Sequence, residues 1–471
     1  MVYVYNTLGR RLEPFSPVRP PFVNMYTCGP TPYDYTHIGH ARTFASFDAI
    51  KRYLNLRGFS VYHVQNITDI DDKIINRARE EGRTWQEVVE EYTKDYMEML
   101  SSLSISIDVH PKVTDHVQEI VEFVKGLIEK GHAYVAESGS VYFDVDSFPD
   151  YGRLSGALNK EAWRQEEHVR EKRNPYDFAL WKAAKPGEPS WDSPWGKGRP
   201  GWHIECSVMS SKYLGSSIDV HGGGIDLVFP HHENERAQSE ALFGRRPWVR
   251  YWMHVSYLTI SGEKMSKSLG NIVPFREAAK KWGPKVIRLW LLSSHYRSNL
   301  DYSESGLEQA SRLYQRLREV AQRLQRRLLS SSPSHYLGER EARVLEELKR
   351  IRNSWHESMS NDFNFGAAMS SAWELTNLYY KELESLESQA LLLYAYRTLE
   401  EFNRVYAVLD DILLGESGSR LEGELIDLLV QVRAELRGRK MYDLSDMIRQ
   451  RLQQRGIRLL DYKDRTEWVR E

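Results

Sequence analysis

The alternation of hydrophobic and polar positions near the N-terminus predicts a strand, a helix and a second strand, in that order. Residues 22–26 form a short, largely apolar run that ends at Cys28, and apolar positions in 41–56 recur at the spacing of one helical face. Residues 59–67 alternate as a strand does. This order predicts a βαβ unit of a parallel sheet with a right-handed crossover. Ligands bind such sheets at the carboxyl ends of the strands, where Cys28 and Thr68 lie.

The pattern changes character between residues 113 and 199. Short helical and strand-like pieces there lead into a loop rich in proline, glycine and tryptophan, and strand-like patterns resume at 218–221 and 251–259. We therefore interpret 113–199 as an insertion that interrupts one sheet domain. Beyond Tyr302 the spacing of apolar residues is helical almost throughout, which predicts a helical bundle.

Composition narrows the class of protein. The chain has 471 residues, enough for about three domains at roughly 100 to 200 residues each. No run approaches the ~20 apolar residues that a bilayer span requires, and the N-terminus lacks the apolar core of a signal peptide, so we expect a cytoplasmic protein with no membrane partner. Lysine plus arginine number 64 against 66 acidic residues, a net charge of −2, so any nucleic acid must bind local basic patches.

The two cysteines, Cys28 and Cys206, point to metal chemistry rather than to a disulfide scaffold. His231 and Glu235 are four residues apart directly after Pro230, and proline is favoured at a helix start. Such a pair projects from one helical face, so an imidazole and a carboxylate can join two thiolates around a zinc ion.

The residues alone leave two alternatives to that site open. Isolated cysteines are often buried apolar filler. His232 and Glu233 compete as ligands, although helical spacing puts both on the wrong faces for a site shared with Glu235.

The tetrapeptide His37-Ile38-Gly39-His40 lies between the first strand and the helix. The first backbone N–H groups of a helix are unpaired and its dipole is positive there, so a polyphosphate can dock. Gly39 lets a planar ligand approach the backbone, and the imidazoles of His37 and His40 can donate hydrogen bonds to phosphate oxygens. The alternative is a histidine pair that only satisfies the start of its own helix.

A second polar segment is Lys264-Met265-Ser266-Lys267-Ser268, with glycines on both sides. Lys264 and Lys267, beside two hydroxyls in a glycine-flanked loop, form a clamp that can close on a reacting polyphosphate. A solvated basic loop is the alternative.

Together the two segments resemble the HIGH and KMSKS motifs of class I aminoacyl-tRNA synthetases, matching at every position and in the right order. Other segments narrow the resemblance to the cysteinyl-tRNA synthetase family, and it covers nearly the whole chain. The segments that carry it are Met25 to Pro30, Asn66 to Lys73, Gly201 to Ser207, His221 to Gly224 and Phe229 to Glu235.

The resemblance implies the fold class: an α/β, Rossmann-type parallel-sheet catalytic domain with a connective insertion, an all-α helical bundle and a small C-terminal anticodon-binding region. The expected bounds are 1–112 and 200–258 for the two halves of the catalytic domain, 113–199 for the insertion, 259–310 for the KMSKS loop and stem-contact region, 311–415 for the bundle and 416–471 for the C-terminal region.

The resemblance also implies a two-step reaction. L-Cysteine attacks ATP to give cysteinyl-adenylate, and cysteine then passes to the 2′-hydroxyl of the terminal adenosine of tRNA(Cys). One Zn²⁺ per chain would recognise the substrate thiolate, Mg²⁺ would accompany ATP, and no obligate protein partner is implied. The implied zinc ligands are Cys28, Cys206, His231 and Glu235. The implied catalytic residues are His37, His40, Lys264 and Lys267, and these bind ATP together with Gly39, Gly222 and Gly223. Thr68, Trp202 and Asp226 are expected near the amino acid.

Two groups of residues carry weaker expectations. Asp69, Asp71 and Asp72 resemble a magnesium trio, but carboxylates that open a helix complement its dipole, and we favour that structural interpretation. Toward the C-terminus a basic cluster, with Trp468 available to stack on an unpaired base, predicts an RNA-binding surface. The cluster comprises Arg437, Arg439, Lys440, Arg449, Arg451, Arg455, Arg458 and Arg465.

Two other functions compete with this interpretation. One is a ligase that transfers cysteine from the same cysteinyl-adenylate to a small amine, as in mycothiol biosynthesis. Such a ligase would share the HIGH, KMSKS and zinc motifs, but the long helical C-terminal part favours tRNA. A non-catalytic scaffold with a dead synthetase fold is disfavoured because all four residues expected to be catalytic are present.

Overall fold

The computed structural model describes residues 1–157, 159, 163, 170–265, 269–330, 337–413, 416–461 and 466–470. They form two compact units, Met1–Val408 and Leu409–Glu471, which we describe separately. The strands are β1 Tyr3–Asn6, β2 Arg11–Pro14, β3 Phe22–Thr27, β4 Ser60–Gln65, β5 Ala133–Val135, β6 Val141–Phe143, β7 Phe178–Ala183, β8 Gly198–Pro200, β9 Ile218–Gly224, β10 Val249–Val255, β11 Leu258–Ile260, β12 Glu263–Lys264, β13 Leu300–Asp301, β14 Ile457–Asp461 and β15 Thr466–Arg470. The helices are α1 Ile38–Leu56, α2 Asp72–Glu81, α3 Trp85–Ser102, α4 Val117–Glu129, α5 Trp202–Leu214, α6 Glu233–Phe243, α7 Phe275–Trp282, α8 Pro284–Leu291, α9 Glu304–Ser330, α10 Glu339–Ser360, α11 Phe365–Lys381, α12 Gln389–Tyr406, α13 Asp410–Leu413, α14 Glu416–Gly438 and α15 Tyr442–Gln453.

A parallel sheet of four strands, in the order β10-β9-β3-β4, organises the first unit. The βαβ unit expected from the sequence is confirmed as β3, α1 and β4. Val23, Met25 and Tyr26 of β3 are fully buried, as expected for a central strand covered on both faces. The ends of β3 and β9 lie side by side, because the N–H of Cys28 donates to the carbonyl of Gly222 at 3.1 Å.

The segment between β4 and β9 contains a separate antiparallel sheet, in the order β5-β6-β7-β8. Its buried residues, among them Phe143, Phe178 and Trp181, share one hydrophobic cluster with Cys28 and Cys206. The inserted sheet therefore packs against the carboxyl end of the parallel sheet. The domain bounds expected from the sequence stay predictions.

A buried ion pair connects the sheet domain to the helices that follow it. Arg288 of α8 is fully buried and donates to a carboxylate oxygen of Asp48 in α1 at 2.5 Å. It also donates to the carbonyls of Leu103 at 2.7 Å and Tyr406 at 2.5 Å. Because a buried charge is costly unless it is paired and hydrogen-bonded, this network specifies how α8, α1 and the end of α12 pack.

The second unit is a short helical region that ends in a β-hairpin. Its core contains Ile426, Leu452, Ile457 and Leu459. The antiparallel pair β14 and β15 departs from the helical expectation for this part of the chain. The reason is local: Gly456 has a φ of +75°, and the alternation after it buries Ile457 and Leu459 on one face of the strand.

Among the described residues, no helix is both long and apolar enough to cross a membrane.

Candidate metal centre and active-site cleft

Four buried side chains from separate segments meet beside the end of β3. Cys28 follows β3, Cys206 lies in α5, His231 precedes α6 and Glu235 lies in its first turns. One ligand atom from each lies within 4.8 Å of all the others. The Nε2 of His231 is 3.0 Å from the Oε1 of Glu235, and the Sγ of Cys28 is 3.4 Å from the same oxygen. Tetrahedral zinc, with bonds of about 2.0 to 2.3 Å, separates its ligands by about 3.5 Å, so this group fits the ion.

The electrostatics of this group also fit a metal ion. Burial, together with the neighbouring Cys206 and Glu235, raises the pKa of Cys28. Burial opposes ionisation of Cys206 as well. Its hydrogen bonds to Cys28 and His231 outweigh burial, however, and lower the pKa of Cys206 to about 7. Two thiols and a carboxylate packed this closely repel one another when ionised. A dication would hold all three as anions.

A neighbouring imidazole orients His231. The Nδ1 of His203 lies 3.0 Å from the Nδ1 of His231, and Gln238 donates to the carbonyl of His203 at 2.9 Å. Because the Nδ1 of His231 is engaged in this way, its Nε2 faces Glu235 and the two sulfur atoms. A metal-ligating histidine usually has such an outer partner, which fixes its tautomer and ring orientation.

His232 corrects one expectation from the sequence. Its Nε2 lies 3.1 Å from the Sγ of Cys28, so the prediction that it lies on the wrong face is wrong. Residues Val228–His232 are not a regular α-helix, and Phe229 is extended, so helical spacing does not apply there. A second candidate group therefore consists of Cys28, His221, His232 and Glu235. It shares Cys28 and Glu235 with the first group.

A hydrogen-bonded cluster next to Cys206 contains residues that the sequence analysis did not assign. Asn66 accepts from the backbone N–H of Gly29 at 2.9 Å and donates to Thr68 at 3.0 Å, and Thr68 donates to Glu205 at 3.0 Å. The Sγ of Cys206 is 3.6 Å from the Oδ1 of Asn66. Burial, with the nearby Cys206, raises the pKa of Glu205 well above its usual range. Asn66 and Glu205 both lie in segments that carry the family resemblance, so that resemblance is the sequence signal that could have identified them.

Gly29 is required by close backbone packing. A Cβ at this position would lie 1.7 Å from the carbonyl oxygen of Asn66. We expect Gly29→Ala to lower the free energy of unfolding by about 3 kcal/mol or more, because backbone atoms cannot move aside as a flexible side chain can. Thermal denaturation checks this, with Gly438→Ala as the control, since a Cβ there meets nothing within 4 Å. Equal melting temperatures for Gly29→Ala and the wild type would contradict it.

A cavity of about 430 Å³ opens beside the metal group. Trp202, the first residue of α5, lines this cavity, and its ring centroid is 4.4 Å from that of His231. The cavity wall also carries a set of basic side chains, namely Lys73, Arg79, Lys172, Lys182 and Lys185. The role expected of Trp202, closing over an amino acid, stays a prediction.

The two signature motifs also meet. His37 caps α1 by accepting from the backbone N–H of His40, and the two rings stack with their centroids 3.6 Å apart. A Cβ on Gly39 would lie 2.8 Å from the Cε of Met265, so the KMSKS segment packs against the HIGH segment. Lys264 is exposed, with its Nζ 4.0 Å from the ring centroid of Tyr257.

Residues 266–268, which include Lys267, lie outside the described residues, so the position of Lys267 stays a prediction.

The remaining expected site residues lie elsewhere on the sheet edge. A Cβ on Gly222 would lie 2.1 Å from the ring of Phe47 and 2.7 Å from the carbonyl oxygen of Met253, so protein packing alone requires this glycine. A Cβ on Gly223 would lie 2.8 Å from the flexible end of Leu227. Asp226 is exposed, and among the described residues no hydrogen bond or ion pair joins it to the metal group. The roles of these three residues toward ATP and cysteine stay predictions.

The three aspartates after β4 are engaged by protein groups. Asp71 caps α2, and Asp72 forms an ion pair with Lys182 at 2.8 Å. Asp69 accepts from the backbone N–H of Thr114 at 3.0 Å. These contacts match the structural interpretation rather than a magnesium trio.

Comparison with known proteins gives matches along the whole chain. The family model described as tRNA synthetases class I (C) catalytic domain matches residues 14–312. A curated Cysteine–tRNA ligase of Aeropyrum pernix is 67% identical over 472 residues and covers 100% of both chains. Another, of Thermococcus gammatolerans, is 47% identical and covers 100% of this chain and 99% of its own.

Solved structures share the fold at low identity. The ternary complex of Agrobacterium radiobacter K84 agnB2 LeuRS with tRNA and LeuAMS matches with a TM-score of 0.67 and 13% identity, over 86% of each chain. Mycobacterium tuberculosis methionyl-tRNA synthetase in complex with methionyl-adenylate matches with a TM-score of 0.61 and 16% identity, over 87% of this chain and 94% of that one.

Proposed function

The chain belongs to the cysteine–tRNA ligase family of class I tRNA synthetases, and we propose that it selects cysteine through a zinc ion held by Cys28, Cys206, His231 and Glu235. The observation that supports this assignment is the convergence of four buried ligand atoms within 4.8 Å beside the cavity lined by Trp202. A bound zinc ion would supply a soft Lewis acid for the substrate thiolate, a preference that a hydroxyl or methyl group cannot match.

We favour this ligand set over the one that contains His221 and His232. It includes both sulfur atoms, which suit zinc, and its histidine has an outer partner in His203. His232 instead uses its Nδ1 toward His254 at 2.8 Å while its Nε2 contacts Cys28. In the proposed site, His221 and His232 form the wall behind Cys28 and Glu235.

Selection of cysteine over serine needs more than the shape of a pocket. Shape alone discriminates by roughly 10- to 200-fold per small group. Direct recognition of sulfur removes the need for a hydrolytic editing site. Trp202, stacked beside His231, would cover the bound amino acid and exclude water from the reacting carboxylate.

His37, His40, Lys264 and Lys267 are proposed to position ATP for in-line attack by the cysteine carboxylate on the α-phosphate. Attack at a phosphate of ATP depends on positioning and charge stabilisation. Imidazole and ammonium groups supply both, with Mg²⁺ on the phosphates. The contact between Gly39 and Met265 supports this role, because it brings both motifs to the start of α1, where the helix dipole favours an anion.

Loss of either lysine of the clamp should affect chemistry more than cysteine binding. We expect Lys264→Ala and Lys267→Ala each to slow cysteine-dependent pyrophosphate exchange by about 100- to 1000-fold, with cysteine affinity unchanged, because the charge acts on the transition state. Lys280→Ala is the matched control, since Lys280 is an exposed lysine of α7. A rate equal to that of the wild type would remove the lysine from this role.

The second unit is the proposed reader of the tRNA anticodon. Trp468 is half-buried and donates its indole N–H to Asp427 at 2.8 Å, and its stacking on an unpaired base stays a prediction. Arg437 and Arg449 form ion pairs with Asp461. Other members of the basic cluster remain exposed, namely Arg439, Lys440, Arg451, Arg455 and Arg458. Arg465 lies outside the described residues.

Transfer of cysteine to a small amine is not favoured. The curated cysteine–tRNA ligases match this chain over its full length, including the helical C-terminal part that such a ligase would not need. We propose tRNA(Cys), with transfer to the 2′-hydroxyl of its terminal adenosine, as the acceptor, and the cytoplasm as the compartment.

A further inference from the structure

The start of α1 contacts both ends of the hairpin formed by β11 and β12, which carries Lys264. One contact is the one between Gly39 and Met265, the residue that directly follows Lys264. The other is made by Arg42, whose Nη1 donates to the carbonyl oxygen of Tyr257, the residue before β11. The first turns of α1 therefore hold this hairpin where it begins and where it ends.

Arg42 is a fully buried cation that binds backbone carbonyls. Its side chain is 1% exposed, and Nη2 donates to the carbonyl of Ser298, to the hydroxyl of Ser294 at 3.3 Å and to the carbonyl of His295 at 3.5 Å. Among the described residues no carboxylate forms an ion pair with Arg42, and burial lowers the pKa of Arg42 to about 10, so it stays charged at neutral pH. A buried charge without a carboxylate partner is costly. What the guanidinium supplies is a rigid fork of donors that joins α1 to two separate segments.

The hairpin itself is held as one body. Its two-residue turn, 261–262, has a positive φ at both positions, as a type I′ turn requires. The Oδ1 of Asp301 accepts from the hydroxyl of Thr259 at 2.9 Å and from the backbone N–H of Gly262 at 2.9 Å. A displacement of the first strand of the hairpin would therefore also displace Lys264 on the second.

The residue that Arg42 binds also orients the side chain of Lys264. The Nζ of Lys264 lies 4.0 Å from the ring centroid of Tyr257, which is the distance of a cation–π contact. Within the described part of the chain no carboxylate forms an ion pair with Lys264. The backbone and the ring of Tyr257 together thus connect the buried guanidinium to the ammonium of this lysine.

We propose that Arg42 is a positioning residue for adenylate formation: through Tyr257 it sets the ammonium of Lys264 against the start of α1. This inference rests on the proposed function, because it needs Lys264 to act on the phosphates of ATP. Arg42 follows His40 by two positions, about 200° around a helix of 3.6 residues per turn. It therefore acts from the opposite side of α1 and does not itself touch the nucleotide.

The variant Arg42→Met tests the proposal, because it keeps a long side chain and removes every donor. We expect the maximal rate of cysteine-dependent pyrophosphate exchange to fall by about 10- to 100-fold, the range for a misplaced reacting group. The KM for cysteine and the zinc content should not change, because the metal group lies on other elements. Arg42→Lys, which keeps the charge and some donors, should lose less, and it replaces Arg42→Met if that protein does not fold. A wild-type rate, or loss of zinc together with the rate, would overturn the proposal.

Combination with Lys264→Ala shows whether Arg42 acts through that lysine. The double variant should be no slower than Lys264→Ala alone, because the group that Arg42 positions is absent. Arg52→Met is the matched control, since Arg52 lies in the same helix but hydrogen-bonds to Asp48 and Ser104 rather than to the hairpin. Any loss that it causes should multiply with that of Lys264→Ala.

Two outcomes of this comparison separate failure of the inference from failure of the proposed function. Losses that multiply for Arg42→Met as they do for Arg52→Met would overturn the inference alone and assign Arg42 to the stability of the fold. A wild-type rate for Lys264→Ala by itself would overturn the proposed role of that lysine, and the inference with it.

Discussion

Replacing Cys206 with serine is expected to remove zinc and cysteine selectivity together. Serine keeps the size of the buried side chain but supplies no soft thiolate, so the metal group of Cys28, Cys206, His231 and Glu235 loses one of its two sulfur ligands. The loss of zinc affinity should exceed the roughly 10- to 100-fold that follows removal of an outer partner of a metal ligand. Preference for cysteine over serine should fall toward the roughly 10- to 200-fold that shape alone provides.

Two measurements check this result: zinc content by mass spectrometry, and pyrophosphate exchange with cysteine and with serine. Ser210→Ala is the matched control, because Ser210 is buried in the same helix and its hydroxyl donates only within that helix, to the carbonyl of Ser207. A Cys206→Ser protein that retains zinc and still rejects serine as the wild type does would show that Cys206 is packing and not a ligand.

Removal of residues 409–471 is expected to separate the two steps of the reaction. The first unit contains the metal group, the cavity and both signature motifs, so Met1–Val408 should form cysteinyl-adenylate at close to the wild-type rate. Charging of tRNA should fall by at least about 1000-fold, since the exposed arginines and lysine proposed to contact the anticodon are lost. Pyrophosphate exchange and tRNA charging are measured on the same preparation.

A full-length variant supplies the control for this truncation. Arg451→Glu with Arg455→Glu alters two exposed residues of the second unit and keeps the chain intact. It should raise the KM for tRNA and leave the rate of adenylate formation unchanged. Its deficit relative to the wild type should be larger at low salt than at high salt, because the lost phosphate contacts are strongest at low salt. Parallel loss of both activities in the truncated chain, with a lowered melting temperature, would indicate that the second unit only stabilises the first.

The sequence was sufficient to predict the elements that depend on local pattern. The strand, helix and strand around Cys28 follow from hydrophobic spacing, and the structure contains them as β3, α1 and β4. The four proposed zinc ligands were selected by residue chemistry and by the family resemblance. Their convergence depends on long-range packing, because Cys28 and Cys206 are separated by the whole inserted segment.

Other features needed the three-dimensional structure. The contact between His232 and Cys28 arises where an irregular turn breaks the helical spacing from which side-chain direction was inferred. The hydrogen bond that joins Trp468 in the hairpin to Asp427 in α14 likewise links residues that are far apart in the sequence. The hydrogen bond from Thr68 to Glu205 also needed the structure, because the two residues lie far apart in the sequence.

The most direct test of the account is charging of tRNA by the zinc-loaded, full-length protein. Unfractionated tRNA, ATP and Mg²⁺ are supplied with labelled cysteine in one reaction and labelled serine in another. We expect cysteine on tRNA and no serine above background. The cysteine signal should disappear when a chelator removes zinc and return when zinc is restored. Two results would contradict this expectation. One is the absence of cysteine on tRNA. The other is charging with cysteine that continues, with serine still rejected, after zinc has been removed completely.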